Sequence, residues 1–127
     1  MKRITARAAL TLAAALTAAL AAGPGAAQVQ SQTTPVGTWH SIDDKTGESK
    51  AEIRITEGPG GVLTGRIEKF LRAGSDPARR CTECSGDRKD QPVLGMEIIR
   101  GARKAEGREA WEGGKILDPE NGREYTL

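Results

Sequence analysis

The chain has 127 residues, a formal net charge of +2, and only two Trp, one Tyr and one Phe. Once a leader is set aside, that length makes one domain, and so few aromatics on a nearly neutral chain argue against the basic, aromatic-interleaved surface of a nucleic-acid binder. With two cysteines and one histidine, a four-ligand zinc site within one chain would have to borrow a carboxylate.

Residues 1–27 read as a cleavable secretory signal. Lys2, Arg3 and Arg7 form a basic start, 8–22 is an apolar run, and Gly25-Ala26-Ala27 offers small residues for cleavage. The run is too short and alanine-rich for a spanning helix, which needs about 20 strongly apolar residues. The expectation is therefore a periplasmic or secreted protein with no stable membrane insertion after cleavage. Removing the signal takes three of the 19 Lys and Arg and none of the 17 Asp and Glu, so the remainder carries a net charge of −1.

A polar stretch at 28–34 leads into a domain at 35–127 that breaks into short β-like runs with no long helical period. The first predicted strand is 36–42, closed by a turn at Asp43-Asp44-Lys45-Thr46-Gly47. The second, 51–56, alternates Ala51, Ile53 and Ile55 with Glu52, Arg54 and Thr56, so one face is buried and the other wet. Gly58-Pro59-Gly60-Gly61 then turns the chain into 62–70, where Leu63, Gly65 and Ile67 share a face.

A long irregular stretch, 71–92, holds both cysteines and most candidates for a functional loop. The β pattern resumes at 93–100 with Leu94, Met96 and Ile98 in register. It continues at 108–118, where Gly113-Gly114 predicts a kink or bulge between Trp111 and Ile116. Asp118-Pro119-Glu120-Asn121-Gly122 is a turn signal, and 123–127 starts a further strand.

The expected fold is thus an all-β antiparallel meander of about six strands, short of the eight or so that close a small ligand-holding barrel. An unfinished sheet exposes edges that pair with other chains. The expectation is either a coding sequence cut short or a homo-oligomer that completes the sheet in trans.

Three stretches resemble the bacterial family known as domain of unknown function 2147: Val36-Gly37-Thr38-Trp39, the block 81–104 (CTECSGDRKDQPVLGMEIIRGARK), and the block 113–125 (GGKILDPENGREY). The resemblance implies an exported protein with a lipocalin-like (calycin) barrel, here lacking the family's C-terminal strands. A Gly-x-Trp in the first strand is also a lipocalin hallmark, with the indole packed across the barrel floor. The family brings no activity and no catalytic residues with it.

Cys81-Thr82-Glu83-Cys84 admits three readings. The first is a structural disulfide worth about 2 kcal/mol for so short a loop. The second is a redox pair, with Arg79 and Arg80 favouring the thiolate at Cys81, although Ser85-Gly86-Asp87 reads as a turn where a thioredoxin-like motif would open a helix. The third is a metal site built from His40, Cys81 and Cys84 with a carboxylate, or one shared between two subunits. Strand alternation sends His40 to the face opposite Trp39, so an inward indole makes the imidazole wet.

No grouping of nucleophile, base and oxyanion donors is present, so no catalytic residue, reaction type or cofactor is assigned. The leading expectation is a periplasmic module that either binds a small hydrophobic molecule in an interior lined by Trp39, Ile53, Ile55, Leu63, Ile67, Met96 and Ile98 or serves a structural role in the envelope, with a CxxC redox or metal-linked activity as the third reading. The alternative is an envelope protein that docks a partner through the 71–92 loop, with Asp87, Arg88 and Lys89 as the polar rim. For those three residues a salt-bridged structural role stands beside the docking role.

Overall fold

A computed structural model describes residues 34–127. The predicted signal at 1–27 and the polar stretch up to residue 33 lie outside the described residues. The strands are β1 (Gly37–Ile42), β2 (Ser49–Glu57), β3 (Leu63–Phe70), β4 (Glu97–Lys104), β5 (Trp111–Glu112), β6 (Lys115–Asp118) and β7 (Arg123–Thr126). They form one antiparallel sheet in the order β1-β2-β3-β4-β6-β7, with β5 paired to β4. The sheet is open, with β1 and β7 as its edges.

Local chemistry explains the first two hairpins. In the β1–β2 turn the Asp43 carboxylate accepts the backbone N–H groups of Lys45 at 2.9 Å and Thr46 at 3.1 Å, an Asx turn that uses the side chain in place of a backbone partner. Between β2 and β3, Gly60 and Gly61 take φ of 73° and 71°, left-handed values that a residue with a Cβ adopts at a cost. The predicted alternation holds in β2, where Ala51 and Ile53 are buried and Arg54 and Thr56 exposed.

Bulges account for most departures from simple alternation. Between β2 and β3, Glu52 pairs with Lys69 but Ile53 with Ile67, so Glu68 is an extra residue. Between β3 and β4, Arg66 pairs with Glu97 and Gly65 with Ile99, which makes Ile98 extra and lets the adjacent Ile98 and Ile99 both be buried. Each such insertion bends its strand and steepens the twist.

Two predicted strands change. Residues 93–96 are a turn rather than the start of a strand: Val93 is fully buried, Leu94 is 38% exposed, and Gly95 has φ of 83°. The apparent period of two through Leu94, Met96 and Ile98 is accidental, because Met96 enters the core from the turn and Ile98 from a bulge. The predicted 108–118 strand is two strands broken at Gly113-Gly114. Gly113 has φ of 76°, and a Cβ on Gly114 would come within 2.6 Å of the Ala102 nitrogen, so both positions require glycine.

The core lies between one face of the sheet and the 71–96 loop. Ala51, Ile53, Ile67, Ile98, Ile99 and Leu117 come from the strands, and Cys81, Cys84, Val93 and Met96 from the loop. The loop is a second layer in its own right. It closes on itself through Val93 N–H to Arg79 O and Cys81 N–H to Gln91 O, both 2.9 Å, and it docks on β3 through Gly95 N–H to Ile67 O at 2.7 Å.

Candidate functional site

Pairing across the sheet aligns Ile53 with Ile67 and Ala51 with Phe70. Strict alternation after Leu63, Gly65 and Ile67 would place Lys69 on that face; the extra residue Glu68 shifts the phase and brings Phe70 there instead. With Ile98, Ile116 and Leu117 these residues line a cleft of about 380 Å³ on the inner face. Ser41 of β1, Tyr125 of β7 and residues 72–75 of the loop also face it. The volume falls within the range of about 300–1,000 Å³ typical of small-molecule sites.

The rim of this apolar cleft is charged. Lys50 bonds Glu120 at 2.6 Å, and Arg72 bonds Asp43 at 2.6 Å while standing 3.8 Å from Glu120. The N–H groups of Lys45 and Thr46, and then Arg72, hold the Asp43 carboxyl down at about 2. Arg79 lies with its guanidinium 5.3 Å from the centre of the Phe70 ring, a cation–π contact at the edge of the cleft.

The residues expected to line an interior divide into groups. Ile53, Ile67 and Ile98 line the cleft. Ile55 packs against the core, Leu63 is buried beyond the cleft, and Met96 belongs to the core and to a separate shallow depression beside Arg66 and Arg100. Trp39 pairs with Ile53 and so shares its face, but β1 is an edge and the indole is 46% exposed, with its N–H donated to Pro35 O at 2.6 Å. The expected inward-packed tryptophan is therefore corrected, because among the described residues the open sheet brings nothing across to cover it. His40 is exposed, 3.7 Å from Glu52.

The polar residues of the 71–92 loop are engaged by the protein's own groups, with Arg88 drawn in against the sheet and Asp87 and Lys89 exposed. Asp87 takes a two-pronged contact from Arg100 at 3.1 and 2.7 Å, which lowers its carboxyl pKa, and Arg100 also holds Glu97 at 2.7 Å. Arg88 donates to Glu97 O at 3.1 Å and pairs with Glu124, and Lys89 donates to Thr82 O. A partner engaging these side chains would have to displace contacts to the protein's own strands and loop.

Cys81 and Cys84 form a disulfide, 0% and 4% exposed, with the Pro119 carbonyl oxygen 3.5 Å from the Cys81 sulfur. Among the described residues no three or more His, Cys, Asp or Glu side chains gather where they could hold a metal ion. Sequence reasoning missed Phe70, Ile116 and Tyr125 as cleft residues and Arg72 and Arg79 as its rim. For Phe70 the only signal was an aromatic out of phase with its strand.

Fold and site together define a small all-β protein with one bulged, open antiparallel sheet and an apolar cleft under a disulfide-pinned loop. The chain belongs to the family described as uncharacterized protein conserved in bacteria (DUF2147), whose model matches residues 37–127. No curated protein and no solved structure matches it.

Proposed function

We propose that this protein is an exported binding module, an open variant of the lipocalin-like plan, that holds a small hydrophobic molecule in the cleft between its sheet and its 71–96 loop. The observation that carries this reading is the cleft: about 380 Å³ lined by Ile53, Ile67, Phe70, Ile98 and Ile116. An apolar concavity of that size left to water forgoes roughly 25 cal/mol for every Å² of apolar surface that a ligand would cover. The disulfide supports an oxidising, extracytoplasmic address, and the basic-apolar-small start of the chain supports the same one.

The test uses protein lacking residues 1–27, stripped by unfolding and refolding, and titrated with the neutral dye Nile red. Saturable binding is expected in the parent. Ser41→Trp, which places an indole at the cleft from a partly buried strand position, is expected to abolish it while the circular dichroism spectrum is unchanged. Non-saturable dye uptake in the parent, or equal binding in Ser41→Trp, overturns the reading.

A further inference from the structure

The rim charges of the cleft differ in whether they are already matched. Of its three cations, Lys50 is bound to Glu120 and Arg72 to Asp43. Of its two anions, Glu120 is engaged by Lys50, and the Asp118 carboxylate accepts the Glu120 N–H and the Asn121 side-chain N–H, both at 2.9 Å. Among the described residues Arg79 has no carboxylate within ion-pairing distance. Its partner is the face of Phe70, which lines the cleft.

We propose that the cleft takes an amphipathic anion, a single short acyl chain ending in a carboxylate, with Arg79 anchoring the head group. This rests on the cleft being a binding site, and it adds the chemical class of the ligand. The backbone at Arg79 is held in place rather than free: its carbonyl accepts the Val93 N–H at 2.9 Å, its N–H donates to Asp76 O at 3.1 Å, and Arg80 beside it bridges to Pro92. The stem is fixed at the neck of the loop while the guanidinium rests on an aromatic wall. A guanidinium presents five donors in a planar fork that matches a carboxylate. An apolar floor with one unmatched cation at its edge is complementary to an apolar tail with one negative end. The volume is near the low end for small-molecule sites, which suits one short chain rather than a two-chain lipid.

The experiment is isothermal titration calorimetry of the stripped protein with decanoate, decanol and decylamine, which share a tail and differ in head group. The proteins are the parent, Arg79→Gln, and Lys69→Gln, a control that removes the same charge from an exposed residue outside the cleft. Decanoate is expected to bind about tenfold tighter than decanol, the effect of one charge-assisted contact, with decylamine weakest. Arg79→Gln is expected to bring decanoate to the level of decanol and leave decanol within about twofold, whereas Lys69→Gln changes neither. Adding salt is expected to weaken decanoate selectively in the parent. Equal binding of decanoate and decanol, or equal weakening of both in Arg79→Gln, overturns the anchor while the apolar cleft stands. Saturable binding of none of the three overturns the cleft reading and this inference with it.

Discussion

Gly122 lies against the backbone of Glu83, so close that a Cβ built on it would sit 2.6 Å from the Glu83 carbonyl carbon. The Asp118-to-Gly122 turn therefore seats on the Cys81–Cys84 loop with no side chain between them, and Gly122 also holds φ of 72°. One residue joins the end of the sheet to the loop that covers it.

Gly122→Ala is expected to lose about 2 to 4 kcal/mol of stability, combining left-handed strain with a backbone collision. Gly47 separates the two causes, since it has φ of 74° but nothing within 4 Å of its built Cβ. Gly47→Ala should cost only about 1 kcal/mol in the same urea unfolding experiment. Equal losses at the two sites would mean that the turn does not rest on the loop.

Replacing Cys81 and Cys84 together by alanine should cost about 2 kcal/mol from the lost cross-link, with an added penalty for the space left at a fully buried sulfur. Because both sulfurs are buried, dithiothreitol should reduce the native bond far more slowly than the unfolded one. Thiol counting with and without urea measures this directly, and equal rates would contradict the burial.

Asp43 sets an acid-side dependence. Its carboxyl is lowered from 3.8 to about 2 by the N–H groups of Lys45 and Thr46 and by Arg72, so its charged form is favoured by folding. That contribution is fully present above about pH 4 and is lost as the pH falls toward 2. Asp43→Asn should flatten the stability profile in that window and leave the shape above pH 5 unchanged. An acid unfolding curve identical to that of the parent would remove Asp43 as a contributor.

Trp39 distinguishes an open sheet from a packed barrel. A tryptophan in a core costs about 3 to 5 kcal/mol on truncation to alanine. Here the indole is half exposed, so Trp39→Ala should cost about 1 kcal/mol, and acrylamide should quench its emission readily in the native state. A loss in the core range would show that something covers β1.

Arg88 should behave as a structural residue. Its side chain is 11% exposed and bonds both Glu97 O and Glu124, so Arg88→Ala should destabilise by about 1 to 3 kcal/mol. Lys89→Ala, at an exposed residue, should fall within about 0.5 kcal/mol of the parent. Any partner assay using Arg88→Ala needs its stability measured beside it.

The elements whose signals are local were legible in the sequence by itself. Strand alternation in Ala51, Ile53 and Ile55, the Asp43 and Asp118 turns and the Gly60-Gly61 hairpin all act within a few residues, and together they mark an all-β antiparallel chain. The pairing of Cys81 with Cys84 was among the readings its spacing allowed, and the family match confirms the resemblance seen in three short stretches. Only the tertiary structure decided what depends on one strand's offset against another. The bulges at Glu68 and Ile98 choose Phe70, Ile98 and Ile99 for the interior, against simple alternation. The openness of the sheet leaves Trp39 half exposed, and the closure of the loop turns Arg88 inward and sets Asp87 against Arg100 at the surface while leaving Arg79 at the cleft. The physical reason is that a period-two pattern specifies faces, whereas a single inserted residue exchanges them, and an insertion is visible only once the neighbouring strand is in place.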